Sequence, residues 1–159
     1  MLFRSYARIR TEQEFNRVLF DTSPAFIVAI GFDGRTLMMN QALLDALEYS
    51  LEEVVGVDYL TTFVPQEDRA TVEEVFGRII ERGLATRNEN RIVGKSGKVL
   101  LVEWHGKTTD REGSNPELFV GIGIDVTERR REQKALRDAE LKYRLRSEEH
   151  TSELQSPNT

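Results

Sequence analysis

A chain of 159 residues, 39% of them hydrophobic, is long enough for one domain with a single core and some additional length. The formal net charge of −5 gives no basic field that favours nucleic acid, so we expect no nucleic-acid partner. The absence of cysteine excludes disulfides, thiolate metal sites and cysteine nucleophiles, and it fits a cytoplasmic location. We find no signal peptide and no apolar run near the roughly 20 residues that span a bilayer.

Both ends of the chain resemble translated sequencing adapter. The tail "RSEEHTSELQS", residues 146–156, matches the in-frame translation of a common library adapter at all eleven codons, and "MLFRS" matches its reverse complement. We therefore expect residues 1–5 and 146–159 to be scars, with the tail disordered or frayed. The rest divides into a domain over 6–126 and a linker helix over 127–145, where the native reading frame is expected to break.

The first predicted element is a short helix over 12–20. Thr11 and Glu14 have the spacing of a capping box, in which a hydroxyl and a carboxylate satisfy the first free N–H groups. Its apolar face comprises Phe15, Val18 and Leu19.

A hairpin and a second helix follow. The apolar runs "AFIVAI" and "TLMMN" predict two strands, and Asp33-Gly34 between them is a hairpin turn signal. Asn40 is expected to cap the helix "QALLDALEY". The apolar stripe of that helix comprises Leu43, Leu44 and Leu47.

Two further helices are predicted before residue 83. Ser50 and Glu53 form a second capping box, with Tyr49 and Val54 placed as a hydrophobic staple around it, and Gly56 ends that short helix as a left-handed residue. A longer helix over about 66–82 begins after Pro65 and ends at Gly83. Its apolar side comprises Val72, Val75, Phe76, Ile79 and Ile80.

Three strands are predicted to follow, over about 86–93, 98–108 and 117–125. Gly94–Gly97 is the turn between the first two, and "DREGSNPE" is a polar loop. In the middle strand, Leu100, Val102 and Trp104 share one face, while Glu103 and His105 share the other. Two strands, several short helices and three antiparallel strands indicate an α+β fold.

The last strand runs directly into a charged helix. Asp125 and Glu128 have the spacing of an N-cap and its reciprocal partner, so the end of the strand is predicted to be the first cap of the helix. Such a coupling would transmit a displacement of the strand. Along this helix, Ala135, Leu136, Ala139 and Tyr143 form a narrow stripe that favours a coiled-coil seam.

These pieces resemble a PAS domain. The resemblance rests on "TSPAFIVAI", "DGRTLMMNQALLDAL", "YSLEEVVG", "VPQEDRA", "GKSGKVLLVEW" and "GIGIDVTERRRE", which cover nearly all of 12–130 in the family's order. One departure is Glu48, where the family usually has glycine before the tyrosine. The resemblance implies a five-stranded antiparallel sheet with short helices on one face and a pocket between them, followed by a C-terminal signalling helix.

The resemblance also implies which residues carry function. Asn40, Ser50 and Glu53 are expected to be structural caps, and Asp125, Thr127 and Glu128 to relay the signal. Candidate pocket residues are Phe26, Val28, Met38, Leu44, Phe76, Ile79, Leu100, Val102, Trp104 and Gly121.

No catalytic, metal or cofactor site is predicted. The family's haem sensors use a histidine on the long helix, where this chain has none, and its adduct-forming flavin receptors need a cysteine. His105 beside Glu103 is interpreted as a solvated surface pair. Trp104 is interpreted as core filler, although a non-covalent flavin or another small ligand stays compatible with the sequence. Gly121 and Gly123 either leave room for a ligand or let another element approach.

The leading hypothesis is a non-enzymatic PAS module that relays a small-molecule or partner signal, or dimerises, through its C-terminal helix. We expect a homodimer formed through the flanking helices, with a signalling domain downstream in the parent chain. The resemblance implies that such parents are commonly histidine kinases or cyclic-di-GMP enzymes, and less often transcription regulators. The alternatives are a ligand-free PAS interaction domain and a small α+β enzyme, for which no nucleophile–base pair or pair of converging carboxylates can be nominated.

Overall fold

The computed structural model describes residues 1–82, 86–109 and 118–154. Contacts between residues divide the chain into two units, Met1–Asp125 and Val126–Thr159. Three of the predictions from the sequence concern residues outside these ranges. They are Gly83, the loop "DREGSNPE" and the last five residues of the tail.

The first unit contains a five-stranded, wholly antiparallel sheet in the order β2-β1-β5-β4-β3. Its strands are β1 (Phe26–Gly31), β2 (Thr36–Met39), β3 (Thr86–Val93), β4 (Val99–Thr108) and β5 (Leu118–Asp125). The predicted α+β class and five-stranded sheet are confirmed. Strand β5 is central, because it pairs with both β1 and β4.

Glycines form the two predicted hairpin turns. Gly34 has φ +80° and Gly97 has φ +85°, and both values lie in the left-handed region that glycine adopts without steric cost. The Gly34 N–H donates to the Gly31 carbonyl and the Gly97 N–H to the Gly94 carbonyl, at 2.9 Å and 3.0 Å. The sequence signals "DG" and "GKSG" therefore correspond to the turns that connect β1 to β2 and β3 to β4, as predicted.

Among its described residues, the first unit has five α-helices: α1 (Leu2–Thr22), α2 (Gln41–Leu47), α3 (Leu51–Val54), α4 (Tyr59–Phe63) and α5 (Arg69–Arg82). The prediction for α1 was wrong in two respects. The helix begins well before residue 12, and Thr11 is not its cap, since the Thr11 hydroxyl donates to the Ala7 carbonyl one turn earlier. No glycine or proline interrupts residues 2–11, so the helix continues through them. Phe15, Val18 and Leu19 are all exposed.

Helix α5 lies against the sheet through one face. A 3-10 turn, Gln66–Asp68, separates it from Pro65, so the α-helical part starts three residues later than predicted. Four of its apolar residues are buried or packed on the core, namely Val72, Val75, Phe76 and Ile79. The prediction for Ile80 was wrong, because this side chain is 46% exposed and lies outside the covered stripe.

The second unit contains helix α6, Thr127–Leu154, none of whose residues is buried. The expectation of a disordered tail differs from the structure, in which Arg146–Leu154 continues the helix. Those residues include good helix formers and no glycine or proline, so nothing in their sequence ends the helix. Across the described part of the chain, no helix has the length and apolarity to cross a bilayer.

Candidate functional site

One candidate site is a small cavity in the first unit, between the inner face of the sheet and helices α4 and α5. It leaves about 20 Å³ for the centre of a water-sized sphere, which is enough for a single water molecule. No lining residue carries a charged side chain. The lining residues are Val28, Ile30, Tyr59, Val72, Phe76, Asn88, Asn90, Trp104 and Phe119.

Two aromatic side chains fill the space above the glycines of β4 and β5. A Cβ placed on Gly123 would stand 2.7 Å from the Trp104 ring, and one on Gly106 would stand 2.6 Å from the Phe119 ring. The space beside these glycines is therefore occupied by the rings of Trp104 and Phe119. Of the two alternatives for Gly121 and Gly123, room for a ligand or close approach of another part of the protein, the structure shows close approach of side chains from the same sheet. Trp104 is 5% exposed.

The polar end of the cavity lies along β3. Asn88 and Asn90 alternate onto the inner face, and Asn88 pairs directly with Trp104 across the β3–β4 ladder. The Asn88 amide donates to Asn90 Oδ1 at 3.2 Å, and the Asn90 amide donates to the Arg91 carbonyl at 3.0 Å. The Trp104 indole N–H is buried and has no hydrogen-bond partner among the described residues.

The apolar end is built from aromatic rings that contact one another at tilted angles of 47° to 52°. The Phe76 and Phe119 centroids are 4.8 Å apart, and Tyr59 lies 6.1 Å from Phe76 and 5.6 Å from Phe63. Burial raises the pKa of Tyr59 far above its ordinary value, so its phenol remains protonated at any physiological pH. This end therefore offers apolar surface and a neutral hydroxyl.

The predicted pocket residues separate into three groups. Val28, Phe76 and Trp104 line the cavity, and a Cβ added to Gly121 would meet Trp104, Val28 and Phe119. Met38 does not line the cavity. It pairs with Ala29 and is 48% exposed, whereas the neighbouring Met39 is buried. The others are buried in the surrounding core: Phe26, Leu44, Ile79, Leu100 and Val102.

Sequence reasoning missed six lining residues: Ile30, Tyr59, Val72, Asn88, Asn90 and Phe119. Val72 had been placed on the apolar side of its helix but not in the pocket. The signal for Asn88 and Asn90 is their two-residue alternation with Ile92, which places all three on the inner face of β3.

Glu103 differs from the expected solvated pair. Its side chain is only 9% exposed, although it lies on the opposite face of β4 from Trp104. Arg87 donates to its carboxylate at 2.9 Å, and His105 Nε2 lies 3.4 Å from it. Burial of a carboxylate requires such partners, so Glu103 belongs to the folded structure and only His105 is a surface residue.

Asn40 holds several elements together. It is the N-cap of α2, and its Oδ1 accepts from the Leu43 N–H at 3.3 Å and from the Ile27 N–H of β1 at 2.9 Å. Its amide donates to the carbonyls of Phe20 and Ala25 at 3.2 Å and 2.8 Å. One fully buried side chain thus fixes the end of α1, the start of β1 and the start of α2.

The β3–β4 turn is bound to the corner between α2 and α3. The Glu48 carboxylate accepts from the Ser96 N–H at 3.2 Å, and Glu53 forms an ion pair with Lys95 at 2.5 Å. Glu53 also accepts from the Ser50 N–H at 2.9 Å, which is the reciprocal half of the capping box. Hydrogen bonds from Ser96 lower the pKa of Glu48, and those from Lys95 and Ser50 lower that of Glu53.

Glu48 stands in the left-handed region, with φ +63°, where the family usually has glycine. A non-glycine residue there is strained, at a cost of roughly 1 kcal/mol. The contact with Ser96 gives a reason for a carboxylate at this position, because glycine would relieve the strain but lose the hydrogen bond to the β3–β4 turn.

The predicted relay residues lie at the end of β5 and the start of α6. Asp125 is the last residue of β5 and pairs with Val102, and Thr127 is the first residue of α6. Glu128 accepts from Arg131 at 2.7 Å, an i,i+3 ion pair on the exposed helix surface. Only Val126 separates the strand from the helix.

Comparison with known proteins identifies the fold family. A family model described as PAS fold matches residues 20–131, which is more than two thirds of the chain. The chain belongs to the PAS family. No curated protein matches it. PAS domains are generally sensory and non-catalytic, and the described residues contain no group of three or more histidine or carboxylate side chains that could hold a metal ion.

Solved PAS domains share this fold. The PAS domain of an HTR-like protein from Haloarcula marismortui is 24% identical, with a TM-score of 0.63, 77% of this chain covered and 98% of that chain. A PAS domain from Colwellia psychrerythraea is 22% identical, with a TM-score of 0.63 and 73% and 98% covered. A domain of a sensory box sensor histidine kinase/response regulator from Geobacter sulfurreducens is 21% identical, with a TM-score of 0.61 and 74% and 96% covered.

Proposed function

We propose that this PAS domain is a sensory and dimerisation module that relays a small-molecule or partner signal through α6 to an output domain of a longer parent protein. The observation that carries the proposal is the position of β5. This central strand brings Phe119 to the cavity and ends at Asp125, one residue before the relay helix starts at Thr127. A change at the cavity would therefore reach the helix through one hydrogen-bonded strand.

The similarity to a domain of a sensor histidine kinase/response regulator supports an output of the two-component type. A helix of 28 residues without buried side chains supports dimerisation, because an isolated polar helix gains its stability from a partner surface. The stripe of Ala135, Leu136, Ala139 and Tyr143 is the surface that a second copy would cover.

A ligand-free interaction domain is the second candidate. The small size of the cavity favours this candidate, because the rings of Trp104 and Phe119 occupy the space beside the glycines of β4 and β5. The same volume argues against a flavin or a haem, because neither the isoalloxazine ring system nor the porphyrin macrocycle fits a cavity of about 20 Å³. On this view, the signal would be a partner protein and not a small molecule.

The test is a chimera in which residues 6–145 drive a coiled-coil-dependent histidine kinase. If Asp125 caps α6, Asp125→Ala costs about 0.5–2 kcal/mol of stability. In the chimera, Asp125→Ala or Thr127→Ala should lock or uncouple kinase activity while the domain stays folded, and Glu128→Ala should do so more mildly. Glu132→Ala, later on the same helix, is the control and should leave regulation unchanged. Normal regulation in a folded Asp125→Ala chimera would refute the relay.

A further inference from the structure

We propose that the β3–β4 turn, Gly94–Gly97, is a binding site for a carboxylate or phosphate oxyanion, and that Glu48 occupies this site as an internal competitor. An external anion would bind by replacing the Glu48 carboxylate. The site is separate from the core cavity, because neither Glu48 nor any residue of the turn lines that cavity. The inference goes beyond the proposed relay and does not depend on it.

Two donor groups of Ser96 converge on the Glu48 carboxylate. The Ser96 N–H donates to Glu48 Oε2 at 3.2 Å, and the Ser96 hydroxyl is a second donor to the same carboxylate. These hydrogen bonds and the nearby positive charge of Lys98 lower the pKa of Glu48, because they favour its ionised form. The turn therefore already binds an oxyanion, which a different element of the chain supplies.

The turn keeps its shape through bonds that do not involve Glu48. The Gly97 N–H donates to the Gly94 carbonyl at 3.0 Å, and the Lys95 N–H donates to the Leu47 carbonyl at the end of α2, at 2.9 Å. If the Glu48 carboxylate leaves, these bonds still hold the turn, and the Ser96 N–H and hydroxyl face the vacated space. Backbone N–H groups that a turn presents in this way form anion-binding sites in other proteins.

Displacement of Glu48 requires only the rotation of one side chain. Glu48, Ser96 and Lys98 are all exposed, so an anion can reach the site from solvent. The Glu48 N–H donates to the carbonyls of Asp45 and Leu44, and these bonds that end α2 do not involve its carboxylate. A ligand that accepts from both Ser96 donors beside Lys98 would therefore reproduce the contacts of the carboxylate without unfolding either element.

The experiment uses the full chain with the site emptied by Glu48→Gly. Glycine suits the left-handed backbone at this position, so the variant should fold. The Ser96 amide resonance is followed in ¹H–¹⁵N spectra at neutral pH during titration with sodium phosphate and, separately, with sodium acetate, each compared with sodium chloride at matched ionic strength.

We expect a saturable shift in Glu48→Gly, with a dissociation constant for phosphate on the order of 10 mM, as suits one small ligand on an exposed site. Phosphate should bind more tightly than acetate because it carries the larger charge. Tighter binding of acetate would also support the site and would identify a carboxylate as its ligand. The wild type should bind about tenfold more weakly, since the anion must first displace Glu48 from its hydrogen bonds.

Three further substitutions separate a local site from a general effect of charge. Added to Glu48→Gly, Lys98→Gln should weaken phosphate binding about threefold or more, whereas Lys107→Gln, at an exposed lysine near the other end of β4, should leave it unchanged. Glu52→Gln removes one negative charge from the neighbouring helix α3 and leaves Glu48 in place, so it should bind like the wild type. The dispersion of the amide spectrum shows whether each variant is folded.

The proposal is overturned if neither phosphate nor acetate gives a saturable shift in folded Glu48→Gly protein, or if chloride gives the same shift. It is also overturned if the wild type or Glu52→Gln binds phosphate as tightly as Glu48→Gly, or if Lys98→Gln has no effect. None of these outcomes bears on the relay, which is read from kinase activity of the Asp125→Ala chimera.

Discussion

Helices α5 and α6 both carry an apolar stripe in sequence, but only α5 has buried residues. Val72 and Ile79 of α5 are 3% and 0% exposed, whereas Leu136 and Tyr143 of α6 are 63% and 78% exposed. The difference shows that helical periodicity identifies a face and does not say what covers it. The sheet covers the face of α5, and the stripe of α6 is available to a second copy, as proposed above.

The largest expected contrast is between truncations of the two stripes. Ile79→Ala leaves a cavity in the core and should lower the free energy of unfolding by about 2–5 kcal/mol. Leu136→Ala should change it by no more than about 0.5 kcal/mol in dilute protein, since this side chain is exposed. Urea titrations of both variants provide the measurement. A large loss for Leu136→Ala that grows with protein concentration would show that α6 is already covered in a dimer.

A smaller contrast concerns two ion pairs of similar length. Asp68, in the 3-10 turn before α5, accepts from Arg91 of β3 at 2.6 Å and 2.8 Å, whereas Glu128 accepts from Arg131 within α6 at 2.7 Å. Asp68 joins two elements through a two-point contact, and its side chain is 23% exposed. After allowance for solvent screening, Asp68→Asn should cost about 1 kcal/mol and Glu128→Gln less than about 0.5 kcal/mol.

The same pair predicts a pH dependence. Hydrogen bonds from Arg91 lower the pKa of Asp68, and those from Thr61 lower the pKa of Asp58. Carboxylates with a lowered pKa contribute stability above their unfolded pKa, about 4, and this stability is lost as the pH falls through the folded value. The free energy of unfolding should therefore decrease below about pH 4, and less steeply in Asp68→Asn. If the free energy of unfolding falls equally steeply with pH in the variant and the wild type, Asp68 does not contribute to the pH dependence.

The smallest expected effect belongs to the end of α6. Residues 146–154 are helical but exposed, so their deletion together with 155–159 removes no buried contact among the described residues. The melting temperature should be unchanged within error by calorimetry. A decrease of several degrees would show that the tail contributes to structure, and it would contradict the interpretation of the tail as adapter sequence.

Local signals in this chain were reliable where a short-range interaction decides the conformation. The turns at Gly34 and Gly97 and the capping contact of Asn40 with the Leu43 N–H involve residues no more than four positions apart, and the structure has each of them as expected. The same reasoning failed for Thr11, because a capping-box spacing marks a helix start only when the preceding residues do not continue the helix. Residues 2–10 do continue it.

The sequence by itself determined the order and approximate limits of the five strands and most of the buried face of α5, since two- and 3.6-residue periodicities are properties of the local chain. It did not predict α4, Tyr59–Phe63, which is only five residues long. Only the tertiary structure decided which methionine is buried, because the pairing of β2 with β1 includes an irregularity between Ala29 and Ile30. It also brought Asn88 beside Trp104 and seated that ring on Gly123. Those contacts depend on sheet register between residues more than fifteen positions apart, and no local pattern encodes that register.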